Sequence, residues 1–269
     1  MKKIFLLLSF SFSILTVYSE EIPFKEGEVL KYDISFKWGV MMKAGTANYT
    51  VHKGTYESIP TYKTSLDFKT SSFFDGIFKI RDTLTSHAGT NLKPLYHIRK
   101  IHEGRTRFWE EVFFKDHRAN YTQARVRREN VEMVKFDTIL ISNRPSYDLL
   151  NIFIFARTLD YPKLTPGQMF HISSFIGKDN VNITVHFKGQ SVIEKSPSVK
   201  YKAYRLLIDI RDIVFDEPKS AMEIWISDDE NRVPLRLKAK LKIGAAEANL
   251  SSWQNLKYPF TSEIKIPGH

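Results

Sequence analysis

The chain has 269 residues, with 40 Lys and Arg against 30 Asp and Glu, a formal charge of +10 and no cysteine. Disulfides, thiolate metal sites, a cysteine nucleophile and a lipid-anchored cysteine are all excluded by that composition. With 42% hydrophobic residues, including 20 Phe, 12 Tyr and 4 Trp, the chain can bury a core without cross-links.

The first element is a leader. Lys2 and Lys3 precede an apolar and hydroxyl run from Ile4 to Val17, and Val17 and Ser19 fit the small-residue pattern of a signal-peptidase site. The run is shorter than the roughly 20 residues a membrane span needs. Residues 1–19 are therefore read as a signal peptide cleaved after Ser19, and the mature chain is expected to be exported with no transmembrane span. It keeps 250 residues and a formal charge of +8 once Lys2 and Lys3 leave. An exported basic surface meets anionic lipids and glycolipids rather than nucleic acid, so a nucleic-acid partner is not expected.

From Pro23 onward the pattern is strand after strand. Leu30, Tyr32, Ile34, Phe36 and Trp38 alternate with Lys31, Asp33, Ser35 and Lys37, a period of two. Gly39 to Gly45 is read as a turn, and Ala47, Tyr49 and Val51 resume the alternation. Tyr62–Phe68 gives a third strand, and Phe73-Phe74-Asp75-Gly76-Ile77-Phe78 an apolar turn. Strands continue through Tyr96–Arg99, Thr106–Phe114, Ala119–Arg127 and Val131–Ile141. The period changes once, where Leu149, Leu150, Phe153 and Ile154 recur at helical spacing behind Ser146 as the expected cap. This predicts one main helix near 146–159, apolar on several sides and so placed as a plug against a sheet. Strands return at Met169–Ile176, Val181–Phe187, Tyr201–Ile210, Ala221–Ser227, Val233–Ile243 and Ala245–Trp253. Between two of them, Asp228 and Asp229 are expected to shape a turn, and Pro234 marks a strand entry. The expected architecture is all-β and mostly antiparallel, a curved sheet or bilobed half-barrel. Residues 20–269 are read as a single β-rich domain, with two β halves joined near 145 as the alternative.

Three groups of residues carry a family resemblance. Glu223-Ile224-Trp225-Ile226-Ser227-Asp228-Asp229, Arg232-Val233-Pro234-Leu235-Arg236 and Gly244 resemble the C-terminal signature of the bacterial family called domain of unknown function 3108. Phe24-Lys25-Glu26-Gly27-Glu28, with Leu30-Lys31-Tyr32 and Ala44-Gly45-Thr46-Ala47, resembles its opening. Tyr147-Asp148-Leu149-Leu150 to Arg157, followed by Gly167, resembles its central helix and return strand. The resemblance covers most of the mature chain and implies a curved antiparallel sheet in an exported envelope protein, in the periplasm or on the periplasmic face of the outer membrane. It supplies no catalytic residue.

Two chemical motifs of hydrolases are missing: there is no Gly-x-Ser-x-Gly and no His-Glu-x-x-His. His97, His102 and Glu103 lack ligand spacing, so no metal and no cofactor is expected. Asp75 and Asp82 are the one carboxylate pair that would serve a hydrolase alternative. A non-enzymatic binding role fits better, because a curved sheet offers a concavity for a ligand. The residues assigned to such a ligand site are Trp38, Met41, Met42, Phe73, Phe74 and Phe78, with Phe36, Phe153 and Phe155 as further candidates. Arg99, Lys100, Arg105, Arg107, Arg125 and Arg127 form a basic patch, which paired strands would put on one face. The expected partners are an anionic lipid or glycolipid or an outer-membrane protein, with a structural docking module that needs no small ligand as a further alternative.

Overall fold

The computed structural model of the protein describes residues 21–211, 222–241 and 244–265, so the leader at 1–19 and Ile243 lie outside the described residues. The fold is all-β. Eight strands, β1 (Val29–Trp38), β2 (Val40–Tyr56), β3 (Ile59–Thr70), β4 (Arg81–Gly89), β5 (Pro94–Glu103), β6 (Thr106–Arg118), β7 (Tyr121–Glu129) and β8 (Val134–Ser142), run as an antiparallel meander. A four-residue helix, α1 (Ser72–Asp75), interrupts it between β3 and β4. After the main helix α2 (Leu149–Thr158) a second meander follows: β9 (Met169–Ile176), β10 (Asp179–Ser196), β11 (Val199–Arg211), β12 (Met222–Ser227), β13 (Pro234–Lys240) and β14 (Ala245–Gln254). A short β15 (Glu263–Lys265) adds to β11.

β1 pairs with both β2 and β14, which joins the two meanders into one sheet ordered β8 to β1, then β14 to β9. The two ends of that sheet curl toward each other. Ser142 and Ser173 touch through their hydroxyls at 2.8 Å, the Ser173 N–H donates to the Pro145 carbonyl at 3.1 Å, and the Tyr147 N–H donates to the Ser173 carbonyl at 2.9 Å. The result is a nearly closed, barrel-like sheet whose edges β8 and β9 face one another. The two backbone bonds at Ser173 satisfy groups that an open edge would leave to solvent at that point.

The alternation read from the sequence sets which side chains enter. On β4, Asp82, Leu84, Ser86 and Ala88 are buried; on β10, Val181, Ile183, Val185 and Phe187 are. Helix α2 lies between two core clusters. Leu150 and Ile154 pack with Leu30, Tyr49, Leu84 and Leu250, while Phe155, Ala156 and Leu159 pack with Ile172, Ile183 and Leu206. One helix thus fills the space that the curved sheet cannot close by itself.

Three local expectations are corrected. The helix is capped by Asp148, whose carboxylate accepts the N–H groups of Leu150 and Asn151 at 3.0 Å each. Ser146 is instead held against Ser173 at 2.5 Å in the sheet closure. Met41 and Met42 belong to β2, because the turn is confined to Trp38–Val40. Gly45 is needed there for close approach, since a Cβ would sit 2.2 Å from the Lys69 carbonyl oxygen. Phe73 and Phe74 form α1 rather than a plain turn.

Because successive strands alternate in direction, the connections fall at two ends of the sheet. The lower end holds α2 and the β2–β3, β4–β5, β6–β7 and β12–β13 turns. The upper end holds the β1–β2, β5–β6, β7–β8 and β13–β14 turns and α1.

Candidate binding site

The lower end is organised around a buried ion pair. Arg157, the single cation of α2, meets Glu28 in a bidentate contact at 2.5 and 2.9 Å, and both side chains are 0% exposed. The same guanidinium donates to the Asn231 carbonyl at 2.9 Å and to the Pro23 carbonyl at 3.3 Å, and stacks over the Phe24 ring at 5.2 Å. Burial works against the charge on Arg157, but Glu28 outweighs it and holds the guanidinium pKa above its ordinary value. Asn231 passes the connection on: its amide donates to the Tyr258 and Pro259 carbonyls and accepts the Tyr258 N–H. Asp229 folds that turn by accepting from the Ser227 hydroxyl and from the N–H groups of Asn231 and Arg232, the role expected of the turn's carboxylates. The opening segment, the helix and the β12–β13 turn, distant in sequence, therefore meet at one guanidinium.

Beside it lies a second buried polar group. The Ser86 hydroxyl donates to Asp148 at 2.6 Å and contacts His97 Nδ1 at 2.8 Å, while His97 Nδ1 lies 3.4 Å from Asp148. The residue types are those of a nucleophile triad, but the geometry differs. Both Ser86 and Asp148 address the same imidazole nitrogen, whereas a triad puts them on opposite nitrogens. The adjoining space is only about 10 Å³, and Asp148 is occupied in capping α2. Burial lowers the His97 pKa more than Asp148 raises it, so the ring is held neutral. This is a hydrogen-bonded support for the helix N-terminus.

The space available to a ligand is a cavity of about 630 Å³ at the same end. Its walls come from the start of the described chain (Ile22), the β4–β5 turn (Leu92, Lys93), the β6–β7 turn (His117, Ala119), Tyr147, and the α2 residues Ile154, Phe155 and Thr158. That volume falls in the range of about 300–1,000 Å³ typical of small-molecule sites. Most of the wall is apolar. Glu21, Asn91, Lys93, Arg118 and His117 are polar members of the lining, and among them the His117 Nε2 is buried with no hydrogen-bond partner in the protein. Burial and then Lys93 lower its pKa, and the ring hydrogen-bonds the Ser146 backbone. In the neutral ring the unpartnered nitrogen is an acceptor, able to receive a hydrogen bond from a hydroxyl.

The residues assigned to a ligand site from sequence lie elsewhere. Met41, Met42, Phe73, Phe74 and Phe78 stand at the upper end, and none of them lines the cavity; Trp38 ends β1 at that end, and its side chain lies outside the described residues. Of the further candidates only Phe155 lines the cavity, while Phe153 stacks on Tyr49 at 6.1 Å. The basic patch is split by strand register. Arg99 shares the inward face of β5 with His97 and pairs with Glu110 at 2.9 Å. Lys100, Arg107, Arg125 and Arg127 take the outward face, where Arg125 pairs with Asp137 and Arg127 with Glu111 and Glu129; Arg105 sits in the β5–β6 turn. His97 and His102 point to opposite faces of β5, and Asp75 is engaged by Arg81 and Thr70 while Asp82 accepts the His102 N–H at 2.8 Å.

Among curated proteins there is no match. Solved structures resemble the chain, two among them as follows. A crystal structure of a β-barrel-like protein of domain of unknown function DUF1849 from Brucella abortus covers 87% of this chain and 100% of its own at 11% identity, with a TM-score of 0.56. That likeness is one of fold. A candidate lipoprotein from Parabacteroides distasonis covers 87% of this chain and 97% of its own at 11% identity, with a TM-score of 0.37. The family described as "Protein of unknown function (DUF3108)" matches residues 31–251, which takes in the sheet, the helix and the β12–β13 turn, and the chain belongs to that family.

Proposed function

We propose that the protein is a non-enzymatic binding protein of the cell envelope that holds a hydroxyl-bearing amphiphile, a lipid or glycolipid, in the cavity beside α2. The observation that carries this reading is a cavity of about 630 Å³ whose exposed wall is mostly apolar and which is lined by the His117 ring, with its Nε2 buried and unpartnered. Leaving a buried polar atom unpaired costs on the order of 1–3 kcal/mol, a cost that a ligand hydroxyl would remove. The envelope location rests on the leader-like residues 1–19.

The test is a fluorescence titration of the mature protein with a monoacylglycerol carrying a fluorescent chain. Ala119→Trp, which fills the cavity from an exposed turn, is expected to abolish binding. His117→Phe should weaken the monoacylglycerol by about five- to tenfold while leaving the corresponding methyl ester unaffected. Binding that survives Ala119→Trp would remove the cavity from the account.

A further inference from the structure

The upper end of the sheet breaks the usual surface rule. Among the described residues, ten of the sixteen large apolar side chains left exposed lie on its turns and adjoining strand ends. Val40 is 72% exposed, Phe73 68% and Val131 79%, with Ile77, Met133 and Leu241 among the others. These positions are neighbours around the rim. The Ser71 N–H of the α1 connection donates to Ala44 on β2, the Gly104 N–H of the β5–β6 turn donates to Lys79, and the Phe78 ring lies 3.1 Å from where a Gly104 Cβ would stand. Val131 of the β7–β8 turn shares a surface hollow with Phe108 and Trp109 of β6. Gly244 of the β13–β14 turn packs against Lys37 of β1. Four of these five neighbouring connections thus present apolar side chains at one end of the sheet, and the fifth, the β5–β6 turn, packs Gly104 against Phe78 and carries Arg105.

Charge identifies the partner. Residues 37–43, 71–81, 103–107, 130–135 and 240–241 carry eight Lys and Arg against the three carboxylates of Asp75, Glu103 and Glu132. Asp75 is held by Arg81, and Lys43 is paired with Asp33 at 2.7 Å, which leaves six cations against Glu103 and Glu132. Protein interfaces are depleted in lysine at their cores, whereas this rim sets Lys37, Lys43, Lys79, Lys135 and Lys240 directly among its apolar residues. Apolar side chains that reach into the acyl boundary, ringed by cations for the headgroups, are the composition of an interfacial membrane contact. We infer that the upper rim is a docking surface for an anionic lipid bilayer. This inference rests on the rim alone and not on the cavity reading. Docked in this way, the protein stands on the membrane with its cavity facing away, about 30 Å from the surface for strands of this length.

The test is flotation of the mature protein with vesicles of phosphatidylcholine, with and without phosphatidylglycerol. Binding is expected only when phosphatidylglycerol is present, and it should weaken as salt is raised. Two rim variants separate the contributions: Val40→Ser with Met41→Ser, Phe73→Ser and Ile77→Ser, and Lys37→Glu with Lys79→Glu and Arg105→Glu. Each should lower partition by about tenfold or more while keeping the parent circular dichroism spectrum and monoacylglycerol affinity. Flotation unchanged in both variants, or equal on neutral and anionic vesicles, would overturn the inference. A concentration-dependent dimer lost in the apolar variant, without vesicle binding, would assign the rim to a second copy of the chain and overturn it as well. Loss of monoacylglycerol binding in Ala119→Trp with flotation intact would show the two ends acting separately.

Discussion

The two ends of the sheet solve opposite problems. At the lower end the chain buries charge: Arg157 and Glu28 are withdrawn from water, and each hydrogen-bonds into a network spanning the opening segment, α2 and the β12–β13 turn. At the upper end it exposes apolar surface, and among the described residues the only helix there is the four-residue α1. A buried ion pair contributes little net stability but is costly to break, so it fixes one arrangement of the parts it joins. An exposed apolar rim contributes nothing to the isolated fold and becomes useful only against a partner. The lower end is therefore where substitutions should unfold the protein, and the upper end where they should change only what it touches.

The sharpest way to break this contrast is Arg157→Met, which leaves Glu28 buried and unpaired. It should cost about 3–5 kcal/mol in urea unfolding, and adding Glu28→Gln should recover much of that loss. Asp148→Ala removes the helix cap and the acceptor of Ser86 together, and a loss of about 2 kcal/mol is expected by the same measurement. At the upper end the four-serine rim variant should stay within about 0.5 kcal/mol of the parent. Arg125→Ala, on the exposed outer face of β7, should leave the unfolding midpoint where it is. A rim variant that unfolds as readily as Arg157→Met would erase the distinction between the ends.

Acid should act through the lower end as well. Burial holds His97 and His117 below the ordinary histidine pKa of about 6.5, so the folded state binds fewer protons than the unfolded chain as pH falls through that value. Their contribution to stability is present in full above about pH 6.5 and declines as pH falls toward the folded-state values. Stability should drop as pH falls below about 6.5, and His97→Asn, which keeps an acceptor near Ser86, should make that slope shallower. An unchanged slope in the variant would mean that His97 is not among the groups responsible.

Much of the fold was legible because period-two alternation is a local signal: the strand from Leu30 to Trp38 and the one from Val181 to Phe187 lie where the alternation put them. The helix was legible for the same reason, and its start moved only because Ser146 was taken up by Ser173 across the sheet, a contact no local pattern carries. Side assignments were harder. Arg99 and Lys100 differ by one residue and so face opposite ways, which divided a patch that looked continuous along the chain. The cavity was not legible, because Leu92, His117, Tyr147 and Ile154 become neighbours only when separate turns gather at one end. Arg157 did leave a trace, as a lone cation in an otherwise apolar helix, but the identity of its partner depended on a contact across 129 positions.

The cavity reading is tested most directly by native mass spectrometry of the mature protein purified without detergent from a periplasm, followed by organic extraction. The account predicts a reproducible added mass that extracts as a hydroxyl-bearing lipid or glycolipid and is missing from Ala119→Trp. A bare monomer mass for the parent protein, or an adduct retained by Ala119→Trp, would contradict it.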